Sequence, residues 1–156
     1  MSSSLVLAQR ANEEITRECL RHPDAETGGV LSGRRLGPDI AIPFVVPAGP
    51  GAVRRRSQFT PDHESQQVIL DYLCDRFPLI GGGYAGDWHR HPGSFDRPSQ
   101  TDFDTARRIV TDPEWACVEA VFPIAVIEDG RVRLRAYLMY RFRADFVEIP
   151  IEVVPD

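Results

Sequence analysis

The segment Asp87-Trp-His-Arg-His-Pro-Gly-Ser-Phe-Asp-Arg-Pro-Ser-Gln-Thr-Asp102 decides how this chain is organised. His89 and His91 stand two residues apart, so on a β-strand both imidazoles point to the same face. Asp102 follows a loop that contains glycine and proline and that can fold back toward the histidines. Two histidines and one carboxylate suit Zn²⁺ with a fourth position open to water, which is the pattern of a catalytic site. The segment therefore predicts a strand with two metal ligands and a loop that returns a third.

Hydrolysis at such a site also needs a general base, and Glu26 is the best candidate. It precedes the Gly28-Gly29 pair, where the backbone can turn tightly and approach a neighbour closely. Asp24 lies nearby in the sequence and is the alternative base.

Ser99 has two possible roles. It lies three residues before Asp102, and from there its hydroxyl could reach the metal site. Ser-x-x-acid before a helical apolar run is also the pattern of a capping box. The two roles are compatible, because a capped helix would hold Asp102 rigidly in its first turn.

This arrangement resembles the JAMM motif of the JAB/MPN metalloprotease family. The family pattern and its spacing are matched by His89, His91-Pro92, Ser99 and Asp102, with Glu26 and its two glycines upstream. The resemblance implies two histidines and one aspartate as zinc ligands, the glutamate as general base, and the serine as a group that stabilises the tetrahedral intermediate.

Arg90 departs from the family, many members of which have Ser or Thr between the two histidines. On a strand its side chain points away from the metal, so the departure concerns substrate contacts rather than chemistry. Trp88 faces the same way and is expected to pack in the core.

Many members of the family cleave the amide bond after the C-terminal glycine of ubiquitin or a ubiquitin-like protein. The chain is similar to stand-alone bacterial members, some encoded beside ubiquitin-like activating and conjugating enzymes, including in antiphage operons. The resemblance implies a zinc-dependent deconjugase or precursor processor whose partner is a ubiquitin-like protein. Two alternatives stay open: release of an amino acid from a sulfur-carrier protein, and a non-catalytic scaffold, although scaffolds usually lack the ligands and the base. A zinc deaminase is not supported, because the sequence has no Pro-Cys-x-x-Cys motif.

Composition indicates one soluble domain over residues 1–156. The net charge of −5 does not favour nucleic acid or an anionic membrane as a partner. The sequence has no signal peptide and no apolar run of about 18 residues, so we expect a cytoplasmic protein without a membrane segment. The three cysteines cannot all pair and are expected to be reduced and mostly buried; a cysteine nucleophile is the weaker alternative.

Hydrophobic periodicity predicts an α+β fold, in which about three helices pack on a mixed sheet. This agrees with the MPN fold and its cytidine-deaminase-like layering, which the resemblance implies. The predicted helices cover about 8–21, from 61 to a break at glycines 81–83, and from 99 to 112. The predicted strands cover 28–36, 40–46, 84–91, 117–127, 131–143 and 147–153, with a hairpin turn at Asp129-Gly130.

Two segments carry predictions about partners. Pro43 indicates an edge strand or a bulge. This strand and the backbone of 93–98 are the candidate edges to which an extended substrate tail could add as a strand. The segment 47–57 is predicted to be a mobile loop, and its arginines Arg54, Arg55 and Arg56 could contact an acidic patch on a partner.

Overall fold

A computed structural model of the protein describes residues 3–79 and 83–156. Within these residues, eight strands form one mixed sheet, two form a separate hairpin, and three α-helices pack against them. The predicted α+β fold, with three helices on a mixed sheet, is confirmed. The helices are α1 (Gln9–Arg21), α2 (His63–Arg76) and α3 (Gln100–Thr111). The strands are β1 (Leu5–Ala8), β2 (Gly28–Leu36), β3 (Asp39–Val46), β4 (Val53–Arg55), β5 (Gln58–Thr60), β6 (Tyr84–Arg90), β7 (Glu119–Glu128), β8 (Arg131–Tyr140), β9 (Val147–Ile149) and β10 (Ile151–Val154).

The sheet curls until its two ends meet. Its strand order is β10-β1-β3-β2-β6-β7-β8-β9, so the terminal strands β9 and β10 are consecutive in the chain. Only Pro150 separates them, and its carbonyl accepts a hydrogen bond from the Leu5 amide at 2.8 Å. A chain that leaves one end of the sheet and enters the other within one residue requires strong curvature.

Helix α1 lies on the concave face of this sheet. Its apolar residues recur at i and i+4, which puts Ala11, Ile15 and Cys19 on one buried stripe. They share a core cluster with buried residues from seven strands: Leu5, Leu7, Leu31, Ile40, Ile42, Ala85, Trp88, Val121, Ala125, Ala136, Leu138 and Ile149. The predicted helix start at residue 8 is wrong by one position, because Ala8 belongs to β1, a strand that the sequence pattern did not indicate.

Helices α2 and α3 pack in two separate clusters. Helix α2 begins where the Pro61-Asp62 pair predicts, because the Asp62 carboxylate accepts a hydrogen bond from the Ser65 amide at 3.1 Å. Helix α3 follows its N-cap Ser99 and ends at Thr111, just before Asp112-Pro113, as predicted. The glycine run at 81–83, predicted to end α2, lies mainly outside the described residues, and α2 itself ends at Arg76.

The strand with Pro43 is not at an edge of the sheet. Strand β3 lies between β1 and β2, so the prediction of an edge is wrong and the prediction of a bulge is confirmed. The register with β2 shifts between Ser32 and Arg34, opposite Pro43, and the described pairing with β1 ends at Ile42. An interior proline is tolerated here because the bulge removes the need for its missing N–H.

The predicted strand at 147–153 is two strands. β9 pairs with β8 and β10 pairs with β1, on opposite ends of the sheet order. The alternation of apolar and polar residues continues through Pro150, so periodicity alone could not reveal the change of partner. Strand β8 was predicted to reach residue 143. It ends at Tyr140, and a turn follows directly.

The segment 47–57 is not a loop throughout. Its residues 53–57, with residues 58–60, form the β4–β5 hairpin, in which Arg54 pairs with Phe59. The Arg54 guanidinium lies 2.8 Å from a Glu18 carboxylate oxygen of α1, and its Nε donates to the Thr27 hydroxyl at 2.9 Å. Arg54 is therefore held within the protein, while Arg55 and Arg56 are exposed. Among the described helices, none is long and apolar enough to cross a membrane.

Candidate metal centre

Strand β6 presents the two histidines in the middle of the sheet. It pairs with β2, where His89 lies opposite Gly28, and with β7, where the His91 amide donates to the Ala125 carbonyl at 3.0 Å. Because side chains alternate along a strand, His89 and His91 share one face, and Trp88 and Arg90 point to the other. Trp88 is buried in the cluster around α1, as predicted.

The third predicted ligand lies beside the histidines. Helix α3 places the Asp102 carboxylate so that its oxygens are 3.2 Å from His89 Nε2 and 3.0 Å from His91 Nε2. The two Nε2 atoms are 2.8 Å apart. The three ligand atoms all lie within 4.8 Å of one another, close enough to share one ion. Two imidazole nitrogens and one carboxylate oxygen facing one point form a donor set that fits a transition metal.

The charges within the cluster support this arrangement. Burial alone would raise the pKa of Asp102, but hydrogen bonds from both histidines outweigh it and hold that pKa well below its usual range. For His91, burial lowers the pKa, while the Asp102 carboxylate and the Phe95 carbonyl more than reverse this and raise it. The carboxylate is thus ionised, which is the state a metal ligand requires.

The loop between β6 and α3 fixes the orientation of His91. The Phe95 carbonyl lies 2.9 Å from His91 Nδ1, and the Phe95 ring stacks on the imidazole with centroids 5.7 Å apart. When the imidazole is neutral and donates Nδ1–H to this carbonyl, its Nε2 carries the lone pair that a metal ion can take. This second partner of the histidine is absent from the sequence prediction, because a backbone carbonyl leaves no mark in the residue pattern.

The residue after Phe95, Asp96, connects the same loop to β8. The Asp96 carboxylate is hydrogen-bonded to the Arg133 guanidinium, and Arg135 Nε lies 3.4 Å away. The Tyr137 hydroxyl donates to the Asp96 carbonyl at 2.8 Å. The sequence shows Arg133, Arg135 and Tyr137 alternating along a strand, but nothing in it indicates that they meet Asp96.

Glu26 lies near the predicted ligands, just before two glycines that pack tightly against neighbouring backbone. A Cβ atom at Gly28 would lie 2.4 Å from the Trp88 carbonyl, and one at Gly29 would lie 2.6 Å from the Val46 carbonyl. Only glycine permits this approach, as the Glu-x-Gly-Gly pattern predicts. Burial raises the pKa of Glu26, and the nearby His89 and His91 partly oppose this. The half-buried Glu26 carboxyl is thus electrostatically coupled to the three predicted ligands, whereas Asp24 is exposed.

Ser99 caps the N-terminus of α3 through two reciprocal hydrogen bonds with Asp102. Its hydroxyl oxygen accepts from the Asp102 amide at 3.1 Å, and its own amide donates to Asp102 Oδ2 at 2.7 Å, which completes the predicted capping box. The capping bond uses the serine oxygen as an acceptor, so the hydroxyl hydrogen is not required for it. Capping therefore does not compete with a donor role.

The cysteines lie outside this cluster. Cys19 lies on the buried face of α1. Burial raises its pKa to about 12, which disfavours the thiolate that a nucleophile needs. Cys74 and Cys117 are half-buried, and burial raises their pKa values as well.

A family model described as prokaryotic homologs of the JAB domain matches residues 8–138. The match includes all five predicted site residues.

Curated relatives carry related names. The probable metalloprotease y4qB of Sinorhizobium fredii is 35% identical over 107 residues, which are 65% of this chain and 63% of that protein. A CD-NTase/cGAS isopeptidase of Enterobacter hormaechei is 28% identical over 127 residues, which are 81% of this chain and 68% of that protein. A protein of the same name from Vibrio cholerae is 30% identical over 97 residues, which are 61% of this chain and 60% of that protein. The chain thus spans less than two thirds of the Sinorhizobium and Vibrio relatives.

The fold also occurs among solved structures. Protein DSY2949 of Desulfitobacterium hafniense, known from a solution structure, superposes with a TM-score of 0.72 over 97% of this chain and 94% of that chain. At 21% sequence identity this likeness shows a shared fold alone.

Proposed function

Because the chain belongs to the family of prokaryotic JAB domains, we propose that it is a zinc-dependent isopeptidase or peptidase that acts on a bacterial ubiquitin-like protein. It would hydrolyse the amide bond after the C-terminal glycine, either to remove the protein from a conjugate or to process its precursor. The observation that carries this proposal is the convergence of His89, His91 and Asp102 on one point, with Glu26 coupled to them. The relatives named metalloprotease and isopeptidase support the same reaction class.

The donor set favours zinc. Two imidazoles and one carboxylate are ligands that Zn²⁺ takes in hydrolytic sites, where a fourth position stays open. When bound, Zn²⁺ acts as a Lewis acid that acidifies water and polarises a carbonyl group. The side chain of His91 is 9% exposed and that of His89 is 22% exposed, so the cluster opens to solvent on the His89 side.

Glu26 would move the proton. Its carboxylate would take a proton from the attacking water and deliver it to the leaving amine. Burial raises the pKa of this carboxyl, which makes the carboxylate a stronger base toward the attacking water. The Ser99 hydroxyl, whose oxygen already accepts from the Asp102 amide, would donate its hydrogen to the developing oxyanion.

The substrate assignment rests on chemistry and on the relatives. Three relatives bear the name CD-NTase/cGAS isopeptidase, and an isopeptidase cleaves a bond between a protein C-terminus and an amine. A flexible tail that ends in glycine could lie extended along the backbone of 93–98 beside the cluster. Strand β3 offers little room for this, since it lies inside the sheet, with β1 paired to one flank as far as Ile42 and β2 paired to the other as far as Val46. Partner enzymes that activate and conjugate the ubiquitin-like protein, in an antiphage operon or elsewhere, would then supply the substrate.

The test combines metal analysis with cleavage. The purified protein should contain about one zinc per chain, and Asp102→Ala should lose it. A panel of bacterial ubiquitin-like proteins fused through their C-terminal glycine to a reporter serves as the substrate. Glu26→Gln should keep zinc and lose roughly a hundredfold or more in turnover.

Asp24→Asn is the matched control for Glu26→Gln, because it removes a nearby exposed carboxylate and should turn over normally. Absence of zinc in protein purified without chelators, with unchanged metal content in Asp102→Ala, would refute the metal site. Zinc without cleavage of any fusion would favour a scaffold. Release of an amino acid from a loaded sulfur-carrier protein, without cleavage of the fusions, would identify the alternative enzyme.

A further inference from the structure

Arg90 separates the two histidines in sequence and lies on the other face of β6. It is 5% exposed, so its side chain is not placed to contact substrate directly. We propose that Arg90 is a positioning residue that holds the Glu26 segment at a set distance from His89 and His91. This inference rests on the proposed role of Glu26 as general base.

Arg90 binds the backbone on both sides of Glu26. Its Nη1 donates to the His22 carbonyl at 3.0 Å and to the Ala25 carbonyl at 2.8 Å. Its own amide donates to the Thr27 carbonyl at 2.8 Å. The residue between the two histidines thus bonds directly to both chain neighbours of the proposed base. A displacement of the base relative to the histidines would require these bonds to stretch.

The positive charge of Arg90 also interacts favourably with the C-terminal end of α1, just before the Glu26 segment. His22 is the C-cap of α1, so its carbonyl belongs to the negative end of the helix dipole. The described hydrogen bonds of the Arg90 guanidinium all go to backbone carbonyls, and they stabilise a cation that is otherwise costly to bury. Neutral replacement would leave two carbonyls without this partner and would release the end of the helix.

The Glu26 segment has other anchors, so the loss of Arg90 should shift it rather than unfold it. The Glu26 amide donates to the Arg55 carbonyl at 2.8 Å, which ties it to the hairpin. The Thr27 hydroxyl donates to Glu18 at 2.6 Å, and Glu18 also binds Arg54. These contacts hold the segment independently of Arg90. A small displacement is enough to matter, because a misplacement of about 1 Å can cost roughly a hundredfold in rate.

A purely structural role would make Arg90 equivalent to Arg141. Arg141 Nε donates at 2.6 Å to the Val110 carbonyl, which lies in the last turn of α3, and Nη2 donates at 3.2 Å to the Cys117 carbonyl. It therefore also stabilises a helix end through carbonyls, but at the end of α3 opposite Asp102. Arg141→Met is the matched control for Arg90→Met.

The experiment compares Arg90→Met, Arg90→Lys and Arg141→Met in the full chain. Both methionine variants should lower the midpoint of denaturant unfolding and keep the wild-type zinc content. Arg90→Met alone should lower kcat, by roughly 10- to 100-fold, with KM unchanged. Arg90→Lys, which keeps the charge and can reach one carbonyl, should recover part of kcat.

Action through Glu26 is tested by a double-mutant cycle and by exchange. Because Arg90→Met is expected to act by displacing the base, it should cost little more once Glu26→Gln is present. In metal-free protein, Arg90→Met should speed hydrogen exchange of the Glu26 amide, whereas Arg141→Met should not. Additive losses with Glu26→Gln, or equal effects of the two methionine variants on kcat and exchange, would overturn the proposal. If wild type cleaves no substrate, the proposed function fails, and the exchange comparison still decides whether Arg90 holds the Glu26 segment.

Discussion

At the scale of single residues, His91 depends on a partner outside its own strand. The Phe95 carbonyl bonds to His91 Nδ1, and the next residue, Asp96, is fastened to β8. Release of Asp96 should therefore let the carbonyl move and should weaken the orientation of His91. Loss of a group that hydrogen-bonds to a metal-binding histidine typically costs 10- to 100-fold in metal affinity.

We predict that Asp96→Ala lowers zinc affinity by about tenfold, the lower end of that range, because Asp96 acts through the backbone of its neighbour. Competition with a chelator measures the affinity directly. Glu128→Ala is the matched control, since Glu128 also pairs with Arg133 but lies in β7. If both variants bind zinc equally well, Asp96 does not orient the histidine.

The sequence indicated which three predicted ligands meet, but it did not indicate the residues that hold them in place. Membership of the JAB family, predicted from the motif, is confirmed, and His89, His91 and Asp102 do meet as their spacing indicates. Their meeting follows from strand alternation and a short loop, which are local properties. The contacts of Asp96 with Arg133, and of Arg90 with the carbonyls of 22–25, join residues 37 or more positions apart, and no local pattern encodes them.

At the scale of elements, the start of α3 combines a structural and a proposed chemical role in Ser99. The two roles can be separated because glycine at an N-cap costs only a few tenths of a kcal/mol, whereas alanine costs about 1 kcal/mol. We predict that Ser99→Gly keeps near-normal stability and loses at least about tenfold in turnover, because the oxyanion donor is gone.

Ser99→Thr is the companion variant, since it keeps both the cap and the hydroxyl and should retain activity. Thermal unfolding and steady-state kinetics on the same preparations give the comparison. Turnover of Ser99→Gly close to that of wild type would limit Ser99 to capping α3.

The β4–β5 hairpin is attached to α1 by Arg54. Its guanidinium and the Glu18 carboxylate are 21% and 17% exposed, so water screens their interaction only partly. We predict that Arg54→Met lowers the free energy of unfolding by about 1–2 kcal/mol, since hydrogen bonds to charged groups are among the stronger ones. Denaturant unfolding measures the change.

Arg56→Met provides the comparison, because Arg56 is exposed and should change stability by less than about 0.5 kcal/mol. Equal effects of the two variants would mean that the ion pair with Glu18 contributes nothing. The sequence run of three arginines suggested one shared role, but strand alternation assigns its members to different environments. That alternation was hidden, because the strand has only three residues and lies among prolines and glycines.

At the scale of the whole molecule, β10 covers what would otherwise be the open edge of β1. Leu5 and Leu7 of β1 are fully buried, and β1 pairs with β10 on one side and β3 on the other. We predict that deletion of residues 151–156 lowers the unfolding midpoint and causes association that increases with concentration, because an unpaired edge recruits other strands.

Deletion of residues 155–156 alone is the control, since it leaves β10 intact and removes the contacts of the Asp156 carboxylate with the Arg10 amide and guanidinium. Light scattering and thermal unfolding report the two effects. A stable monomer after the longer deletion would show that β1 does not need its second partner. The curvature of the sheet was beyond prediction from the sequence, because it depends on which strands pair across most of the chain.

The joining of the two ends of the sheet at Pro150 has a consequence for the timing of biosynthesis. Ile151 pairs with Leu5 and lies 146 residues after it. At about 5–20 residues per second, a ribosome needs roughly 7–30 s to make the intervening chain. Once β3 has been made, it can pair with one flank of β1. The strand that pairs with the other flank, β10, has not yet been synthesised. The sheet can therefore close only after β10 has left the ribosomal exit tunnel, so the nascent chain must keep a β1 flank protected from other strands until then.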